Sequence, residues 1–210
     1  MLIIPFQLLD IDCCYQEDAM AKMKGFAGEI MQQRDTDKSI GEFILLDRTR
    51  VDLDATVTIL GCTLWSHIPS AASEEVERRI NDFKRIRQWT VKTHNAAHMA
   101  DATWLDRECA KIRAEEPDRR IIVLTHYAPA ISGTSSPRHG NQSSNIRTAF
   151  ATDMSSWTCW GPPVKVWAFG HTHFCCDFTR NGVRVLSNQR GYEGIEAECG
   201  SFRDDFLLYM

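Results

Sequence analysis

The sequence predicts an α/β layered domain, because short apolar runs alternate along the chain with segments of helical periodicity. Residues 55–60, 121–124 and 164–169 are apolar runs rich in β-branched side chains, which is typical of strands. Two helical segments separate the first of these strands from the second. A hairpin follows the third, since Asn181-Gly182 is a strong signal for a two-residue turn. This order predicts a sheet with helices packed against it.

Two helices are predicted between the first and second of these strands. Ser73 begins the first helix as its N-cap, and the two glutamates that follow suit the positive end of the helix dipole. The second helix covers residues 94–115, with Met99 and Leu105 on its inward face and Pro117 beyond its end. The apolar stripe of the first helix consists of residues three and four apart: Val76, Ile80, Phe83 and Ile86.

Three further segments complete the predicted fold. Residues 43–46 (FILL) form a short strand, and residues 174–179 and 183–186 form the two arms of the hairpin. Residues 132–145 form a polar loop rich in glycine, serine and proline. This loop is long enough to be either an active-site lid or a mobile connection.

The bulk composition narrows the classes of function. The chain has 210 residues, a net charge of -4 and a pI of about 6.0, which give no electrostatic reason to bind nucleic acid or an anionic membrane. No apolar run approaches the roughly 20 residues that span a bilayer, and the N-terminal segment lacks the features of a signal peptide. The eight cysteines include no Cys-x-x-Cys pair. We therefore expect a cytoplasmic protein with reduced thiols.

Three histidines follow the ends of two predicted strands. His126 comes just after residues 121–124, and His171 and His173 follow a glycine at the end of residues 164–169. Ligand sites in open α/β sheets lie beyond the carboxyl ends of the strands. Two histidines two residues apart can also bind metal when they share a face. We therefore predict a metal site at this sheet edge; the alternative is a set of solvent-facing or hydrogen-bonded histidines.

The motifs around these histidines, THYAP and GHTHF, resemble the C-terminal half of the calcineurin-like metallophosphoesterases. The segments LLDRTRVDLDATVTILGCTLWS and HNAAHMADATWL resemble one branch of that family, so the likeness covers about residues 15–192. It implies a four-layer α-β-β-α sandwich and two divalent ions that activate a bridging hydroxide for attack on phosphorus. It further implies that His126 and His171 bind one ion and His173 the other. The ion would be manganese, iron or zinc, and the substrate a phosphorylated small molecule or macromolecule.

The family's three N-terminal motifs have no counterpart in this sequence. Asp-x-His, Gly-Asp and Gly-Asn-His-Glu are all absent. We therefore expect an incomplete sandwich that lacks its N-terminal strands, with residues 1–14 unmatched, 15–200 the C-terminal part of a phosphoesterase domain and 201–210 a tail. Asp10 and Asp12 are carboxylates of the unmatched segment, and nothing in the sequence places them near the histidines.

The missing motifs have two consequences for function. Without a bridging carboxylate the chain is expected to bind at most one metal ion, so the resemblance does not by itself predict turnover. An uncovered sheet edge would also favour self-association. The alternative to an active phosphoesterase is a non-catalytic remnant that acts as a binding module with a single-metal or empty site.

A structural zinc site is another alternative. Cys175 and Cys176 follow His173 closely, and a strand would turn one of the two thiols toward the histidines. His94 and His98 are four residues apart, a helical spacing that can chelate zinc. For this second pair we favour a helix that packs beside the site or against a partner.

Overall fold

Eight strands form the framework of the computed structural model, which describes residues 2–5, 15–137, 144–191 and 202–209. Their order along the chain agrees with the predicted alternation of strands and helices. The strands are β1 (Leu2–Pro5), β2 (Phe43–Leu46), β3 (Thr49–Asp52), β4 (Val57–Cys62), β5 (Arg120–Thr125), β6 (Val164–Ala168), β7 (Cys176–Arg180) and β8 (Val183–Ser187).

Six of these strands form one mixed sheet, in the order β3-β4-β5-β6-β8-β7. The inner strands β4, β5, β6 and β8 run parallel, while β3 and β7 pair antiparallel with β4 and β8. The carboxyl ends of β4, β5 and β6 therefore meet at one edge of the sheet. β1 and β2 form a separate parallel pair.

Helices cover one face of the six-stranded sheet. The longest of them packs Ala102, Leu105 and Ile112 into the same core as Leu60 and Val123 of the sheet. No helix within the described ranges is long and apolar enough to cross a membrane. The helices are α1 (Gln16–Thr36), α2 (Ser73–Arg79), α3 (Asp82–Arg85), α4 (Val91–Glu115) and α5 (Ser144–Arg147), with a 3-10 turn at Ser70–Ala72.

The opposite face of the sheet is covered by β2 and by the segment near the C-terminus. Leu46 of β2 is fully buried there, and Phe206 and Leu208 pack against the same cluster. On the outer side of β2, Phe26 of α1 meets Phe43 edge to face at 5.1 Å between ring centroids. The architecture is thus mixed α/β, and the incomplete four-layer sandwich stays an expectation.

Four predicted details differ from the structure. The segment 73–86 is not one helix, because Ile80 adopts an extended conformation (φ -87°, ψ 136°) and ends α2. Ser73 lies inside α2, and the N-cap position is Ala72. Met99 is 45% exposed, because buried polar residues occupy the inward face of α4. Strands β1 and β3 were not predicted; β1 lies within the segment that the sequence left unmatched.

Gly61 lies inside β4, whereas the predicted strand covered residues 55–60 and ended before it. The side chain of Leu46 packs directly on this glycine, and a Cβ added there would lie 2.3 Å from Leu46 Cδ1. Only a residue without a side chain allows β2 to approach β4 this closely.

Replacing Gly61 with alanine is therefore expected to lower the free energy of unfolding by about 1–2 kcal/mol through overpacking. Chemical denaturation would measure the change. Gly25→Ala is a matched control, because nothing lies within 4 Å of its Cβ position and alanine favours the middle of a helix. We expect this control to be neutral or stabilising; a Gly61→Ala protein of undiminished stability would show that Leu46 moves aside without cost.

Candidate metal centre

His126 and His171 meet where β5 and β6 end. Nε2 of His126 lies 2.9 Å from Nδ1 of His171, and the ring centroids are 4.6 Å apart. The backbone N–H of Gly170 donates to the His126 carbonyl at 3.0 Å, which ties the two strand ends together. A Cβ at Gly170 would lie 3.4 Å from Nδ1 of His126, an ordinary van der Waals distance, so the strand ends pack closely here.

The loop that carries His171 and His173 has an uncommon backbone conformation. His171 has φ 67° and His173 has φ 50°, both in the left-handed region, which disfavours residues other than glycine. Gln189 stabilises this turn: its Oε1 accepts from the His173 N–H at 2.8 Å, and its Nε2 donates to Thr172 Oγ1 at 3.1 Å. Nothing in the sequence pattern indicated this role for Gln189.

His171 is stacked between two aromatic rings. The Tyr127 ring lies 4.2 Å from the imidazole and the Phe150 ring 5.0 Å from it, each inclined by 31°. Tyr127 is held by a hydrogen bond of 2.8 Å from its hydroxyl to Asp82 Oδ2. Nε2 of His171 is buried and has no hydrogen-bond partner within the described part of the chain. The ring is thus fixed by packing, with Nδ1 directed at His126.

Both imidazoles of the pair are neutral near neutral pH. Burial lowers the pKa of His126 well below its ordinary value, and the positive charges that His171 and His173 would carry lower it further. Burial also lowers the pKa of His171 to about 4, although the nearby Asp82 carboxylate opposes this shift. Neutral imidazole is the form that binds metal ions.

His173 lies in the same loop but outside the pair. It is half-buried and near enough to disfavour protonation of both other rings. Nowhere in residues 2–5, 15–137, 144–191 or 202–209 do three histidine, cysteine, aspartate or glutamate side chains converge as a possible ligand group. Two of the three predicted ligands are therefore brought together. Asp10 and Asp12 lie outside the described residues.

The loop after β4 supports the His126 side of the pair. The Thr63 carbonyl accepts hydrogen bonds from the backbone N–H groups of His126 and Tyr127, at 3.2 Å and 3.1 Å. Leu64 and Trp65, which follow, have φ 70° and 45°. A loop with two such left-handed residues persists only when its surroundings hold it.

Polar residues on one face of α4 hold this loop. Asp101 Oδ2 accepts from the Leu64 N–H at 2.8 Å, and Nδ1 of His98 donates to the Leu64 carbonyl at 2.9 Å. Asn95 bonds both the N–H and the carbonyl of Ile68, each at 2.8 Å. His98 is thus engaged with backbone rather than with His94, so α4 packs beside the site as favoured from the sequence.

His126 and His171 are hydrogen-bonded to each other through Nε2 and Nδ1 at 2.9 Å, which is the alternative of hydrogen-bonded histidines. Two nitrogens bound to one ion at about 2.1 Å lie roughly 3.0–3.4 Å apart, so the same two atoms could hold one divalent ion in place of this hydrogen bond. The thiols of Cys175 and Cys176 are less suitable as ligands of such an ion. Cys175 Sγ accepts from the Gln189 N–H at 3.2 Å and donates to its carbonyl at 3.3 Å. Burial raises the pKa of Cys176 to about 12, which keeps that thiol protonated.

No family model matches the chain. Protein L509 of Acanthamoeba polyphaga mimivirus is 28% identical over 158 residues, which cover 71% of this chain and 55% of L509. The chain thus matches about half the length of this relative.

One solved structure is also similar: phosphopantetheinyl hydrolase (PptH) from Mycobacterium tuberculosis. It is 12% identical, with a TM-score of 0.46 over 76% of this chain and 59% of that chain. At this TM-score the likeness supports no inference about fold or function.

Proposed function

We propose that the protein binds one divalent metal ion between His126 and His171 and uses it to hydrolyse phosphate esters. What supports the proposal is the 2.9 Å approach of Nε2 of His126 to Nδ1 of His171 at the carboxyl ends of two parallel strands. Manganese, iron and zinc all suit imidazole ligands. Such an ion would supply a Lewis acid that neutralises phosphate charge and acidifies a bound water.

The surrounding residues would orient the two ligands and shield them from water. Tyr127 and Phe150 hold the His171 ring from both sides, while Thr63 and Gly170 fix the backbone of His126. Rings that are held in place lose little entropy when they bind an ion. The substrate would be a phosphorylated small molecule or macromolecule that approaches the exposed side of this sheet edge.

Replacing His171 with alanine is expected to abolish manganese binding, measured by isothermal titration calorimetry, because one of two ligands is lost. His126→Ala should do the same, and both variants should lose any manganese-dependent hydrolysis of bis-p-nitrophenyl phosphate. His67→Ala is the control, since that side chain is exposed and lies outside the pair. Undiminished binding in both variants would contradict the proposed site.

A second candidate is a non-catalytic module that binds one metal ion. It is favoured by the composition of the pair, which offers two neutral nitrogens and no carboxylate to bridge two ions. This candidate predicts manganese binding that depends on His126 and His171, with a stoichiometry of at most one ion per chain and no hydrolysis. The same titration, followed by the hydrolysis assay, separates the two candidates.

A further inference from the structure

A small cavity lies beside the paired histidines. It has a volume of about 100 Å³, and its lining is mainly apolar with hydroxyl groups and one guanidinium at the wall. An engineered apolar cavity of about 150 Å³ accepts benzene, so a space of about two thirds that volume accepts a small branched alkyl group or part of a ring. The lining includes Ile131, Ser135, Arg147, Phe150, Ala151 and Thr172.

The cavity shares its wall with the metal centre. Thr172 lines it and stands between His171 and His173 in the chain. Phe150 also lines it and packs on the His171 ring with centroids 5.0 Å apart. A molecule bound in the cavity would therefore lie one side chain away from the imidazole pair.

One wall of the cavity is fixed by contacts with the hairpin. Arg180 Nη2 donates to the Ser132 carbonyl at 2.9 Å. At Gly133, where φ is 84°, a Cβ would lie 3.2 Å from the Phe178 ring. Thr134 is buried, and its hydroxyl donates to the Ala130 carbonyl. These contacts hold residues 131–135 in place without a ligand.

The other wall is fixed by backbone pairing with the chain that follows β5. The Ala128 N–H donates to the Phe150 carbonyl, and the Thr152 N–H donates to the Ala128 carbonyl, both at 3.2 Å. Since Ala128 lies two residues after His126, this wall and the metal centre belong to one rigid unit. A preformed cavity loses little conformational entropy when it binds a ligand.

Arg147 gives the cavity its charge preference. Its Nη2 donates to the Ile131 carbonyl at 2.8 Å, which holds the guanidinium against the wall. A guanidinium carries a permanent positive charge and several donors, so it favours an anionic group such as phosphate. The cavity thus combines an apolar interior with a cation at its wall, beside the His126–His171 pair.

We infer that this cavity binds the apolar alcohol portion of a phosphate monoester, with the phosphate directed toward Arg147 and the His126–His171 pair. The inference rests on the proposed phosphoesterase function and specifies its substrate class: esters of small aromatic or branched alcohols. Esters of very small alcohols leave the cavity unfilled and bind more weakly.

The test compares phenyl phosphate with methyl phosphate, which carry the same phosphate and differ in the apolar group. Calorimetry on the full chain, with manganese present, should give at least about tenfold tighter binding of phenyl phosphate, since each buried methylene contributes roughly fourfold in affinity. Ser135→Leu should fill the cavity and remove this preference. Ser132→Leu, an exposed position in the same loop, should retain it.

Each outcome bears on the inference separately from the proposed function. Equal affinity for the two esters, or a preference that survives in a folded Ser135→Leu protein, would overturn the cavity assignment alone. Binding of neither ester would overturn the cavity assignment and the proposed function together. If the preference is present and is lost in Ser135→Leu while hydrolysis is absent, the cavity assignment holds and only the proposed catalysis fails. Circular dichroism of each variant establishes that it is folded.

Discussion

Replacing Asp101 with leucine is expected to lower the free energy of unfolding by about 3 kcal/mol, because the buried Leu64 N–H would lose its only carboxylate acceptor. Asp101 is 3% exposed, and besides Leu64 it binds Arg48 Nη1 at 3.0 Å. The Arg48 side chain is 42% exposed and stays solvated when its partner is removed. Most of the loss therefore comes from the unsatisfied backbone of the loop after β4. Chemical denaturation measures it.

Two further variants make the interpretation specific. Asp101→Asn keeps an oxygen acceptor for Leu64 and should lower the free energy of unfolding by less than Asp101→Leu does. Burial already raises the pKa of Asp101 to about 6, which disfavours its charged form, so the loss of the charge itself should have a small effect. Asp35→Asn removes an exposed ion pair with Lys38 and should change stability by less than about 1 kcal/mol. An Asp101→Leu protein as stable as Asp35→Asn would show that the loop does not depend on α4.

The same variant is expected to affect the metal centre. Leu64 follows Thr63, whose carbonyl holds the backbone of His126 and Tyr127. If the loop is released, His126 is less well oriented toward His171, and manganese affinity should fall more in Asp101→Leu than in Asp101→Asn. Loss of outer hydrogen bonds of this kind typically reduces metal affinity by about 10–100-fold.

The meeting of His126 and His171 could be predicted from the sequence because parallel strands place their carboxyl ends at one edge. The apolar runs located β5 and β6, and the histidine motifs follow each run directly. The supporting residues could not be predicted in this way. Tyr127, Phe150 and Gln189 contact the histidine loop through tertiary packing, and nothing in their local sequence indicates a partner.

The elements that were not predicted have identifiable physical causes. β3 is a polar segment whose strand conformation comes from antiparallel pairing with β4, so its own periodicity is weak. Gly61 resembles a strand terminus in sequence, yet it lies inside β4 because Leu46 packs on it. α2 ends at Ile80 although the apolar spacing continues, and the chain then places Asp82 against the Tyr127 hydroxyl. Tertiary contacts override the local pattern in each case.

His94 shows how such contacts control a titratable group. The indole N–H of Trp89 donates to Nδ1 of His94 at 3.3 Å. The backbone N–H of Ser66 donates to Nε2 at 3.3 Å, and Ser66 Oγ lies 3.0 Å from the same nitrogen. Burial lowers the pKa of this ring to about 3, and the charges that His98 and His171 would carry lower it further.

The pKa difference predicts acid destabilisation that depends on His94. Because the folded-state pKa of about 3 is depressed from the ordinary 6.5, the stabilisation is complete above pH 6.5 and is lost as the pH falls toward 3. His94 alone should then reduce the free energy of unfolding by up to about 1.4 kcal/mol per pH unit within this window. Denaturation curves of wild type at pH 6.5 and 4.5 would measure this loss.

In His94→Gln we expect a smaller loss of stability between these two pH values than in wild type, by up to about 3 kcal/mol. Asp101 acts in the opposite direction, since its raised pKa stabilises the folded state as the pH falls through about 6. The difference between variant and wild type cancels that contribution, as Asp101 is present in both. An unchanged pH dependence in His94→Gln would mean that His94 takes up its proton in the folded state, at the expense of the Trp89 hydrogen bond.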